Sequence, residues 1–383
     1  MSTCTFFLYL GGINVKLLKQ GRLPDISMIV VILSLLTIGI LMVYSSSYVW
    51  AEYKYGDPYY FVKRQLLFAT LGIVSMIIVS FIPIFTIRRH VKTILLVCIG
   101  LLILVLIPGI GMVRGGAQSW IGVGAFSIQP AEFVKLGLIL YLAHYLDKNE
   151  RYIQTFLRGF FIPIALVMFC FGLIMLQPDL GTGVVLVLTC VMMIFIAGAS
   201  FRYFVYLSLI GLIGFAALII SAPYRISRIT SFLNPWDDPL GDGFQIIQSL
   251  YAIGPGKLLG VGYGNSLQKY FYLPEPQTDF IFAIVGEELG FLGGTLVILL
   301  FYFLCRRGIA VAYHSLDPFA RYVALGIIAM VTIQFMINIS VVIGLIPITG
   351  ITLPFLSYGG SSLTLTLASM GILLNISTYT KNV

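Results

Sequence analysis

Long apolar runs fill this chain, parted by short clusters of Lys, Arg, Gly, Pro and Asp. A helix needs ~20 mostly apolar residues to cross a hydrocarbon core ~30 Å thick. Ten runs are candidates: 26–46, 66–85, 93–107, 130–146, 160–176, 181–198, 204–221, 279–305, 320–343 and 362–379. The third is short, and only Gln177-Pro178-Asp179 parts the fifth from the sixth. The pattern predicts an all-α integral membrane protein of ten transmembrane helices. Residues 1–25 form a cytoplasmic N-terminal segment, and 26–380 a single membrane domain.

Lys and Arg favour short cytoplasmic loops. With the N-terminus inside, fourteen of them fall in inside segments and eight outside, with Lys135 left within a span. Both termini are therefore predicted to be cytoplasmic. The exterior then holds 108–129 and a large loop, 222–278, between the seventh and eighth spans. Long connections without regular structure are functional or disordered, and the aromatics in 222–278 argue against disorder.

Composition narrows the class. Charged residues make up 10% of the chain and apolar ones 59%, whereas a soluble domain carries roughly 25% charged residues. The net charge of +8 sits mostly at one side of the spans. That suits anionic membrane lipid and gives no basic stripe for nucleic acid. Cys4, Cys98, Cys170, Cys190 and Cys305 form no CxxC pair, and His90, His144 and His314 are scattered. Neither a disulfide framework nor a zinc or haem site is expected. The apolar stretch Cys4–Val15 lacks a basic n-region and a cleavage site, so it does not read as a cleaved signal.

Six segments carry candidate chemistry. Glu275 and Asp279 flank the turn of Pro274-Glu275-Pro276-Gln277-Thr278-Asp279, where the large loop enters the eighth span. Thr278 or Asp279 either caps that helix or serves as a general base at the water–lipid boundary. Glu287 and Glu288 lie further into the same span; they are either functional acids or partners of a base on another helix. Glu132 and Lys135 sit at i, i+3 and share a helix face. They either pair quietly or line a polar cavity open to the exterior. Gln177-Pro178-Asp179-Leu180-Gly181-Thr182 reads as a capped helix start.

Arg225 and Arg228 either meet lipid phosphates loosely or hold a specific pyrophosphate. Gly260-Val261-Gly262-Tyr263-Gly264 reads as a turn, without the βαβ context of a dinucleotide fingerprint. The run Pro347 to Ser362, with Gly359 and Gly360, either packs helices closely or offers backbone N–H groups to an anion.

Together these segments resemble the SEDS family (shape, elongation, division and sporulation), across Ile26 to Thr380. The carriers are Gln118-Ser119-Trp120 through Gln129-Pro130-Ala131-Glu132, Gln177 to Thr182, Pro274 to Ala283, and Gly350 to Ser362. Within the family the likeness is to the sporulation and division branch. The runs Val113 to Gly124 and Ser221 to Gly243 point to its spore-cortex member. Ser119 and Ser127 stand where some relatives carry a basic residue.

The resemblance implies a peptidoglycan glycosyltransferase that polymerises lipid II at the outer face of the bacterial cytoplasmic membrane. A class B penicillin-binding protein, a transpeptidase, is the implied partner. Asp279 matches the family's essential carboxylate, and Glu275, Glu132 and Lys135 match other residues of its outer cavity. On this reading Asp279 takes the proton of the attacking sugar hydroxyl. Arg225, Arg228, Lys269 and the Gly359-Gly360 backbone are candidates for the leaving pyrophosphate, and Mg²⁺ or Mn²⁺ on Asp279 or Glu275 is a further option. The rivals are a lipid II flippase, with the buried acids lining a headgroup path, and a scaffold for the partner synthase.

Overall fold

The computed structural model describes residues 23–114, 117–123, 126–220, 226, 230–241 and 243–380. Helices dominate: α1 (Ile26–Tyr55), α2 (Tyr60–Phe81), α3 (Ile84–Val105), α4 (Pro130–Lys148), α5 (Ile162–Met175) and α6 (Leu180–Ile196). They continue as α7 (Phe201–Ile220), a short α8 (Phe244–Ile253), α9 (Ile281–Tyr313), α10 (Pro318–Val342) and α11 (Gly360–Ser377). A π-helical turn, Phe156–Phe161, leads into α5. Six of the described helical segments are long and apolar enough to cross a membrane. Large apolar side chains such as Leu67, Leu71, Ile78, Leu96 and Ile213 face outward. Such a surface is stable only against lipid.

The chain is not purely α-helical, and here the expectation is corrected. The loop after α3 folds into an antiparallel sheet in the order β1 (Gly111–Arg114), β2 (Ala117–Val123), β3 (Phe126–Ile128). Gly111 pairs with Ile121, and Ile121 with Ile128. Strands are too short to raise a hydropathy signal, so the loop read as irregular. The long connection 222–278 likewise contains α8, whose ten residues fall below span length.

Helix ends explain the layout. Asp25 caps α1 by accepting from the Met28 amide at 3.2 Å. Its other oxygen pairs with Arg307 of α9 at 2.6 Å, and its own amide donates to Ser377 of α11 at 3.1 Å. Arg88 of α3 bonds Asp147 of α4 and Asp317, the cap of α10. This end of the bundle is regular and ion-paired. The opposite end gathers the α1–α2 turn, the sheet, the α5–α6 break and the segments 270–280 and 344–359.

Tight helix packing joins α2 and α11 toward the ion-paired end. A Cβ added at Gly371 of α11 would lie 2.4 Å from the Met76 carbonyl of α2, so the two backbones touch. Small residues allow such approach where lipid gives no hydrophobic drive. Asn375 then donates to the Ser80 carbonyl at 2.7 Å.

Candidate functional site

Asp279 lies just ahead of α9, half-buried. Phe280 holds the cap position of α9 and offers no side-chain hydrogen bond, and the Thr278 hydroxyl turns back to the Glu275 carbonyl at 2.8 Å. The turn is instead held from outside itself. Asn338 of α10 donates to the Asp279 carbonyl at 2.7 Å and to the Ile351 carbonyl at 2.8 Å. The Ser357 hydroxyl donates to the Thr278 carbonyl at 2.6 Å, and the Tyr358 amide donates to the Gln277 carbonyl at 2.8 Å. Two loops from distant parts of the sequence are thereby locked to each other.

Gly350 shows how close they come. Its φ is 71°, in the left-handed region, and an added Cβ would sit 3.7 Å from Oδ2 of Asp279. Two non-glycine residues share that region nearby: Glu275 with φ 43° and Phe355 with φ 65°. Strain of this kind persists where surrounding contacts force it, and it clusters at functional sites.

Glu132 and Lys135 pair on α4 at 2.8 Å. Pro130 opens that helix, as its missing N–H allows. Just before it, Gln129 donates to Oδ2 of Asp179 at 2.7 Å. Asp179 in turn caps α6 through the Thr182 amide at 3.1 Å. The surrounding protein pushes the Asp179 carboxyl above its usual range, and the Thr182 bonds partly offset that; Glu132 raises it further and Lys135 lowers it. A Cβ at Gly181 would overlap the Thr349 carbonyl, so α6 abuts the irregular segment beside Gly350. Four separate sequence motifs thus converge on one rim, with Asp279 at its edge.

Lys269 does not join them, and this corrects the expectation that it meets a leaving pyrophosphate. Its side chain is fully buried and pairs with Glu288 at 3.1 Å. Ser45 of α1 donates to both Glu288 oxygens at 2.7 Å. Glu287 accepts from Ser266 at 2.5 Å and from the Leu267 amide at 2.8 Å. The charge of Lys269 is neutralised inside the protein. Both glutamates tie the loop of residues 264–269 to α9.

The glycine run has the same purpose. Gly290 breaks α9 with φ 66° and ψ −161°. The loop enters that break: Val261 and Gly262 donate to the carbonyls of Glu287 and Glu288 at 2.9 and 3.1 Å. Gly360 begins α11 against the Phe68 ring, 2.7 Å from where its Cβ would stand. Close packing therefore explains that glycine. Arg225 and Arg228 lie outside the described residues.

Arg64 is the residue that sequence reasoning missed. It lies over the Tyr60 ring at 4.1 Å; among the described residues it has no carboxylate partner. The span was drawn from 66, which left Arg64 in a loop, whereas α2 begins at Tyr60. Gln65, one residue on, donates to the Ser357 carbonyl at 3.2 Å. An aromatic pair followed by two cations, Tyr59-Tyr60 and Lys63-Arg64, was the signal available.

Among the described residues no three His, Cys, Asp or Glu converge to cage a metal ion. Glu275 and Asp279 supply two carboxylates to one turn. That is the small donor set that Mg²⁺ uses when substrate phosphates complete its shell.

The fold and this rim define a multi-pass membrane protein with a polar site at one end of the bundle. The chain belongs to the family described as cell cycle protein, the FtsW, RodA and SpoVE family, whose profile matches residues 26–382. It is 60% identical to stage V sporulation protein E of Bacillus subtilis over 94% of this chain and 98% of that protein. It is 43% identical to a probable peptidoglycan glycosyltransferase FtsW of Geobacter sulfurreducens, over 97% and 98%. Among solved structures it resembles a chain from a peptidoglycan synthase complex described as coordinating polymerization and crosslinking. There the TM-score is 0.75 and the identity 29%, over 92% of this chain and 97% of that one. The rod shape determining protein RodA of Thermus thermophilus gives a TM-score of 0.66 and 26% identity, over 92% and 96%.

Proposed function

We propose that this protein is a peptidoglycan glycosyltransferase that polymerises lipid II, with Asp279 as its general base. Ten helices cross the membrane in this reading: α1–α7, α9, α10 and α11. Both termini face the cytoplasm, and the rim around Asp279 faces out. The convergence of four motifs on the turn that Asn338 and Ser357 hold carries the assignment. The activity named for the FtsW relative supports it.

Lipid II presents its sugars at the outer membrane surface, tethered by a lipid tail. The reaction joins the anomeric carbon of one disaccharide to the 4-hydroxyl of another and expels the lipid pyrophosphate. A carboxylate within reach of that hydroxyl takes its proton as the bond forms, worth about 10²–10⁴-fold. The pyrophosphate needs positive groups as charge develops. Lys135 and Arg64 are the described cations at this end that suit that need, with the first N–H groups of α11 behind them. Glu275 and Glu132 belong to the same substrate cavity. Asp279 and Glu275 would hold any divalent cation, which would supply positive charge to the leaving pyrophosphate. The implied partner is a class B penicillin-binding protein, in keeping with the synthase complex that the fold resembles.

Purified protein with lipid II in detergent tests the assignment, since detergent removes sidedness. Wild type is expected to yield glycan chains, and Asp279→Asn to insert and fold normally while yielding none. Chains from the variant at wild-type level would remove Asp279 from the chemistry. Absence of chains from both would favour lipid II transport.

A further inference from the structure

At the ion-paired end, a groove of about 320 Å³ opens between α1 and α9. It is lined by Ser27, Val31, Phe303, Arg306, Arg307 and Ala310. Its two arginines differ. Arg307 gives two nitrogens to Asp25, at 2.9 and 2.6 Å. Arg306 has no carboxylate partner among the described residues. A lone guanidinium beside an apolar trough, at a membrane–water boundary, selects a ligand with two parts. Val31, Phe303 and Ala310 offer nothing to a water-soluble anion. A neutral lipid would leave Arg306 without a counter-charge. An anionic phospholipid satisfies both, because a guanidinium fork matches phosphate oxygens. Basic pockets between transmembrane helices on the cytoplasmic side favour such headgroups.

We propose that this groove binds one anionic phospholipid, its phosphate on Arg306 and the Ser27 hydroxyl, and an acyl chain along Val31, Phe303 and Ala310. The site is remote from the Asp279 rim and does not rest on the glycosyltransferase reading. Because α1 and α9 meet there, the lipid would join two helices that also meet at Ser45 and Glu288.

Native mass spectrometry of the full chain, stripped of lipid in detergent, tests this. The probes are phosphatidylglycerol, phosphatidylcholine and soluble glycerol phosphate. One phosphatidylglycerol per chain is expected, preferred over phosphatidylcholine by about fivefold, the worth of roughly one basic contact at a lipid surface. Arg306→Gln should erase the preference. Ala310→Phe fills the trough without touching charge and should lower retention of both lipids. Arg89→Gln, at an exposed position on α3 at the same end, should change nothing. Equal retention of the two lipids by wild type would overturn the proposal. So would an equal loss from Arg89→Gln, which means diffuse surface attraction, or binding of glycerol phosphate as tight as that of the lipid. Unfolding temperatures identify any variant that has not folded, and the charge and trough variants probe separate halves of the site.

Discussion

Two buried ion pairs sit at the irregular end of this bundle, and they have opposite relations to the rim. Lys269–Glu288 joins a loop to a helix and is fully shielded, with side chains 0% exposed. Glu132–Lys135 joins neighbours on one helix, with 10% and 2% exposure, beside Asp179. In the first, Glu288 accepts from the Ser45 hydroxyl, the Ser266 amide and the Lys269 ammonium. It is a strap. The second pairs through a single oxygen, Oε1 of Glu132, and borders the loops that carry Asp279. The same residue types give structure in one place and an electrostatic site in the other. What separates them is the number of protein partners each charge already has.

The sharpest way to break this contrast is Glu288→Ala. It strands the Lys269 ammonium in the interior, and breaking a buried pair from one side costs about 3–5 kcal/mol. Thermal unfolding in detergent should show that loss, with polymerisation falling as the loop into Glu275 loosens. The double variant Lys269→Met, Glu288→Leu should recover much of it, because well-packed apolar groups often match a buried pair. Equal stability of the single variant and wild type would mean the strap bears no load.

Lys135→Met reverses the balance. It leaves Glu132 unpaired at the rim, a cost of about 1–3 kcal/mol, smaller than that of Glu288→Ala. Polymer yield is expected to fall much further, about 10²-fold, as for removal of one group aimed at developing charge. A yield that tracks stability alone would class this pair with the strap.

Asn338→Ala tests the support of the acid itself. It deletes donation to the Asp279 and Ile351 carbonyls, each bond worth about 1 kcal/mol net. Turnover should drop while substrate affinity holds, because the acid loses its position and the cavity keeps its walls. A change in KM alone would assign Asn338 to binding.

Much of this was legible in the sequence, and the part that was not has a physical cause. Apolar runs gave the helices, because lipid demands them. Glu132–Lys135 and the Asp179 cap followed from spacing within one helix. The fates of Lys269, Glu287 and Glu288 did not, since they pair a helix with a loop about twenty residues away and with α1. Asn338 and Ser357 were invisible for a similar reason: each acts on a backbone carbonyl, and carbonyls carry no sequence signature. Arg64 was lost to a boundary placed six residues late, at 66 instead of Tyr60, where aromatic and charged residues dilute the hydropathy of a true first turn.

The smallest effect should come from a third ion pair, Lys63–Asp57, at 2.7 Å in the turn between α1 and α2. It is largely solvated, at 65% and 35% side-chain exposure, so water and salt screen it. Lys63 and the Tyr59 amide hold the Asp57 carboxyl below its ordinary value of 3.8. A carboxyl lowered in the folded state stabilises above its unfolded pKa and loses that contribution as pH falls through the folded value. The difference in unfolding temperature between wild type and Asp57→Asn should therefore be small and constant from neutral pH down to about 4, then vanish below it. Raised salt should shrink it at neutral pH. The same salt should leave the Lys269–Glu288 strap unmoved, because no ions reach it. Equal salt sensitivity at the two sites would mean that the outer loop opens to water far more than its packing implies, and the distinction between strap and rim would go with it.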